Sequence, residues 1–121
     1  MADEAQSKHY DLEERTYEFA RDVRDFIRQL PHTVANVEDV KQLVRASGSV
    51  GANYIEANEA LGKKDFVMHI KISRKEAKES RFFLRLVFVD GKSNLEKARS
   101  NLVQEATELM SIFGSIVRKS E

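Results

Sequence analysis

Apolar residues in this chain recur at three- and four-residue steps and never alternate with period two over a useful length, so the pattern predicts helices and no sheet. In the first stretch, about Asp11 to Leu30, Leu12, Phe19, Val23, Phe26 and Leu30 follow at steps of 7, 4, 3 and 4. Those steps trace one face of a helix, and Pro31 ends it. A second helix is predicted from about Val37 to Ala60, with Asn36 as its N-cap. Its expected core face is Val37, Val40, Val44, Gly51, Tyr54 and Leu61, with Gly62 in a left-handed position after its end. The third runs from about Lys64 to Val89, where Phe66, Ile70, Ser73, Ala77, Ser80, Leu84 and Val87 share a stripe. Its three small residues predict a close helix crossing, and Asp90-Gly91 closes it. The fourth opens on Ser93-Asn94-Leu95-Glu96, a capping-box pattern, and carries Leu95, Ala98, Leu102, Ala106, Leu109, Phe113 and Ile116 on one face. Four amphipathic helices with short connections predict an all-α fold, an up-down-up-down antiparallel four-helix bundle. The single domain is expected over residues 11–120, with residues 1–10 as a flexible polar tail.

Two features exceed what a bundle needs. The stretch Phe82-Phe83-Leu84, followed by Leu86-Val87-Phe88-Val89, is apolar on every side of a helix. It reads either as a core end covered by loops or as a subunit interface, with Phe82, Phe83, Phe88 and Val89 as the expected contact residues. On the second helix, Arg45, Ala46, Ser49, Asn53, Glu56 and Ala60 lie opposite the expected apolar stripe, within about 100° of arc. Small and uncharged residues are over-represented there for a solvated face. A close contact with another helix is expected, with Arg45 and Glu56 each paired to the other's neighbours; simple exposure is the alternative.

At 121 residues the chain is long enough to bury a core without disulfides, and it contains no cysteine. His9, His32 and His69 have no metal-ligand partners at i+3 or i+4, and the paired Glu-x-x-His motifs of a di-metal bundle are missing. Gly48-Ser49-Val50-Gly51 lacks the lysine and the preceding strand of a phosphate loop. No serine has a supporting His and Asp arrangement. The expectation is a protein that is not an enzyme, with no cofactor, no metal and no small-molecule substrate. No apolar run approaches the length of a membrane span, and Met1 to Tyr10 offers no signal-peptide core, so a cytoplasmic location is expected.

Charge changes the picture through its distribution. Lys plus Arg and Asp plus Glu are 20 each, yet residues 63–85 carry 8 basic and 3 acidic groups, a net of +5. On a helical wheel Lys64, Lys71, Arg74, Lys75, Lys78, Arg81 and Arg85 fall within about 120°. Such a row can meet phosphates along an RNA or DNA backbone, or it can be an ordinary solvated face. A purely protein-binding adaptor is the competing expectation, and salt dependence separates the two.

The segment Leu43 to Ala57, with Arg45, Ser49, Val50, Asn53 and Glu56, resembles the Arg-x-x-x-Ser-[Ile/Val]-x-x-Asn-[Ile]-x-Glu core of the 23S rRNA intervening-sequence protein family. Lys64-Asp65-Phe66 and the stretch Ile72 to Leu86, including Lys75-Glu76-Ala77-Lys78-Glu79-Ser80, are similar to its third-helix region. Phe83 stands where that pattern often has Trp, and Tyr54 where it has a plain aliphatic residue. The resemblance covers about residues 10–118. It implies a four-helix bundle related to the accessory protein of diversity-generating retroelements, a ring-like homo-pentamer, and binding to nucleic acid. It also implies that Arg45, Ser49, Asn53, Glu56, Glu76 and Glu79 make structural polar contacts.

Overall fold

The computed structural model describes residues 12–121, so the tail expected at residues 1–10 lies outside the described residues. Four helices follow one another: α1 (Leu12–Arg28), α2 (Val34–Asn58), α3 (Lys63–Leu86) and α4 (Ser93–Ser120). Consecutive helices pack on each other, α1 also touches α4, and the diagonal pairs do not meet. Cross-helix contacts run in opposite directions along each neighbouring pair. Arg45 faces Glu76 while Asn53 faces His69. Arg99 reaches Leu84 and Lys71 reaches Glu121. Arg24 reaches Val44 while Asn58 reaches Glu13. The result is an up-down-up-down bundle.

Phe19, Phe26, Leu43, Ile70, Leu84, Leu95, Leu109 and Phe113 fill the centre, and each contributes about 2 kcal/mol by leaving water. The small stripe of α3 sits where it crosses α2. Ser73, Ala77 and Ser80 are all fully buried there, and Ser73 Oγ donates to the Val50 carbonyl at 2.9 Å. A similar close approach joins α1 to α2, where a β-carbon on Gly51 would lie 2.8 Å from Thr16 Oγ1.

Several local expectations are corrected. The N-cap of α2 is Thr33, whose hydroxyl accepts from the Asn36 amide at 3.1 Å. Asn36 instead joins two connections of the bundle. Its side-chain amide donates to the carbonyls of Pro31 and Phe88, and its oxygen accepts from the Phe88 amide, each at 2.9 Å. Gly62 has extended backbone and precedes α3 as its N-cap, so it is not a left-handed terminator of α2. The left-handed turn lies at Asp90 and Gly91, with φ of 58° and 67°. Ser93 is the first residue of α4 and makes no cap bond; Glu96 pairs with Arg99 at 3.1 Å. Arg99 in turn donates to the carbonyls of Leu84, Arg85 and Val87, closing the C-terminus of α3 with a cation where the helix dipole favours one.

The core face of α2 also differs. Leu43, Ala46, Ser47, Val50, Tyr54 and Ala57 are buried, whereas Val37 and Leu61 are exposed. The buried face is rotated by about 70° from the expected one at 100° per residue. The cause is contact on both sides: α2 packs on both α1 and α3, and the face turned to them is buried whatever the size of its residues, Leu43 and Tyr54 together with Ala46 and Ser47.

Candidate nucleic-acid interface

Helix α3 carries the candidate site, and its two sides have different chemistry. On the side facing α2, Glu76 is buried and its carboxylate lies 3.3 Å from Arg45 Nη1. Glu79 pairs with the other end of the same guanidinium. The hydrogen bonds that Arg45 donates to Glu76, and the charges of both carboxylates, raise the Arg45 pKa above its ordinary value. Asn53 Nδ2 donates to the Ser49 carbonyl at 2.9 Å, and its Oδ1 lies 3.2 Å from His69 Nδ1. Arg45, Asn53, Glu76 and Glu79 form a polar seam between α2 and α3. Ser49 takes part only through its backbone carbonyl, and no hydrogen bond involves its hydroxyl among the described residues. Glu56 is exposed, and no hydrogen bond or ion pair involves its side chain among the described residues, so it is not brought into the seam. Every buried side-chain nitrogen and oxygen among the described residues has a partner.

The outward side is basic. Lys64, Lys71, Lys75, Lys78 and Arg85 are exposed. The three acids of α3 are engaged elsewhere: Glu76 and Glu79 with Arg45, and Asp65 at 3.5 Å from His69 Nε2. Lys71 alone of these five has an acidic partner among the described residues, Glu121 at 3.2 Å. The five span about 30 Å at 1.5 Å rise per residue. The other two residues of the expected row turn towards α4. Arg81 donates to Thr107 Oγ1 at 3.3 Å, and Arg74 lies across Gly114.

The apolar end of α3 is divided by the end of the helix at Leu86. Val87 and Val89 fold back into the chain's own core, Val89 being 2% exposed, and Phe83 is half-buried. Val89 is therefore not available to a partner, which corrects the expected contact set. Phe82, Leu86 and Phe88 remain outside, each about half exposed. Phe82 is held edge-to-face on Phe83, ring centroids 5.2 Å apart.

Sequence reasoning missed a groove between the first half of α3 and the end of α4. Its volume is about 690 Å³, and Val67, Met68 and Ile72 line it together with Lys63, Lys64, Lys71 and Lys75. Met68 falls within about 40° of Lys64 on the helical wheel, so its interruption of the basic row was legible from spacing. Among the described residues no group of three or more His, Cys, Asp or Glu is placed to hold a metal ion. No described helix is long and apolar enough to cross a membrane.

Fold and surface together define an antiparallel four-helix bundle with one basic helix face. The chain belongs to the 23S rRNA-intervening sequence protein family, whose profile matches residues 8–115. A solved structure with the same fold is a protein of unknown function from the S23 ribosomal protein family of Bacteroides thetaiotaomicron VPI-5482. The two share 25% identity with a TM-score of 0.76, covering 87% of this chain and 96% of that one. No curated protein matches the sequence.

Proposed function

We propose that this protein is a non-enzymatic, self-associating bundle that binds RNA or DNA through the outward face of α3. The observation that carries the reading is the line of Lys64, Lys75, Lys78 and Arg85, exposed and without an acidic partner among the described residues, with Lys71 between them. Lysine and arginine at this spacing can displace counterions from successive phosphates, the main source of affinity for a nucleic-acid backbone. Self-association is supported by Phe82 and Leu86 at the end of α3 and Phe88 just beyond it, three large apolar side chains each about half exposed. A homo-pentamer, as the family resemblance implies, would repeat the basic face and turn weak contacts into avidity.

Light scattering, followed by binding of a mixed RNA pool on the same sample, tests the reading. The expected result is an oligomer whose affinity falls roughly fiftyfold between about 50 and about 200 mM salt, as four phosphate contacts require. Changing Lys71, Lys75 and Lys78 together to Glu should abolish that binding while leaving the helical circular dichroism intact. Phe88→Asp should reduce the mass to that of a monomer. Salt-insensitive capture of a polypeptide, with no response to RNA, would replace this reading with that of a protein adaptor.

A further inference from the structure

We infer that the nucleic acid taken by this face is single-stranded, with an unpaired base seated in the groove beside Met68; this rests on the function proposed above and narrows its ligand. The groove combines two chemistries that a duplex cannot use together. Its lining is apolar: Val67 is half-buried and packs against the core, Ile72 is half-buried, and Met68 is 47% exposed. Its rim is cationic, formed by Lys64, Lys71 and Lys75. A duplex keeps its base faces stacked inside and offers only phosphates and base edges, so it would rest on the lysines and leave the apolar lining in water. A single strand can turn a base outward, placing an apolar ring on the lining while the flanking phosphates meet the rim. A methionine thioether suits that role, being flexible and polarisable against a flat aromatic ring. The groove is open to solvent, with a volume of about 690 Å³.

The occupant follows from charge as well as shape. The one acid at the rim is Glu121, 3.2 Å from Lys71, and both side chains are about half exposed, so an incoming phosphate displaces it easily. The basic line continues past the groove to Lys78 and Arg85. A repeating polyanion engages the whole line, whereas a short acidic peptide would satisfy only the rim.

The test uses the full chain and fluorescence anisotropy with two labelled RNAs of equal length, one unstructured and one a perfect duplex. The single strand should bind about tenfold more tightly than the duplex. Met68→Gln, which alters the apolar lining but no charge, should remove most of that ratio. Lys78→Gln should weaken both RNAs alike and lower the salt slope by about one. Duplex binding as tight as the single strand, or a ratio untouched by Met68→Gln, overturns the inference while salt-sensitive binding preserves the reading it rests on. Competition by polyglutamate as effective as that by an oligonucleotide of equal charge also overturns it, in favour of an acidic polypeptide. Failure of both RNAs to bind removes the underlying reading itself.

Discussion

The two sides of α3 are built from different residue types: serine, alanine and glutamate towards α2, lysine and arginine with Met68 and Phe82 on the outside. Towards α2, Ser73, Ala77 and Ser80 let the backbones approach, and every polar group brought inside is matched: Ser73 with Val50, Glu76 with Arg45, Ser80 with its own helix. Away from the bundle, lysines alternate with Met68 and Phe82, and most of the cations have no acidic partner among the described residues. A buried carboxylate must be paired because desolvation is costly, so the inner side commits its charges to folding. Exposed lysines cost little to leave unpaired, so the outer side can carry its charges without partners, as the proposed binding requires. Stability should therefore respond to the inner face and binding to the outer one.

The largest expected effect is at the crossing. Ser73→Leu inserts three carbons where α3 meets α2 and removes the bond to Val50, and should cost about 3 kcal/mol by urea unfolding with an unchanged m-value. Arg45→Ala leaves Glu76 buried without its cation and should cost about 2 kcal/mol; adding Glu76→Gln should return part of it, which a double-mutant cycle measures. Asn53→Leu deprives His69 and the Ser49 carbonyl of a partner at the half-buried edge of the seam, with an expected loss of about 1 kcal/mol. Replacing Lys71, Lys75 and Lys78 by Gln should change stability by no more than about 0.5 kcal/mol per site. A marked loss from that last variant would show that the outer face also serves the fold, and the contrast between the two sides would fail.

Helix number and order, and the large core residues of α1, α3 and α4, were legible because their apolar side chains repeat at helical spacing. Leu12, Phe19, Val23, Phe26 and Leu30 are all buried as their spacing predicts, and so are Ile70, Leu84, Leu109 and Phe113. The close crossing was legible too, since three small residues in one stripe have few other uses in a helix. The core face of α2 was not. Val37 and Val44 are more hydrophobic than Ala46 and Ser47, yet Ala46 and Ser47 are buried because they lie, with Leu43, Val50 and Tyr54, on the face that packing turns inward. Asn36 has a side chain that suits an N-cap, and nothing nearby in sequence indicates that Phe88 lies beside it.

The candidate site divides in the same way. Periodicity alone placed the basic residues on one helix. It could not separate Arg74 and Arg81, which turn to α4, from the lysines that face outward, because the direction of a long side chain depends on which neighbour is within reach. The end of α3 at Leu86, and the return of Val87 and Val89 to the core, likewise depend on Arg99 of α4 reaching back to the last carbonyls. Local spacing decides which residues share a helical face, because helix geometry repeats every 3.6 residues. Which faces are closed, and which are left for a partner, is decided by packing between segments far apart in the chain.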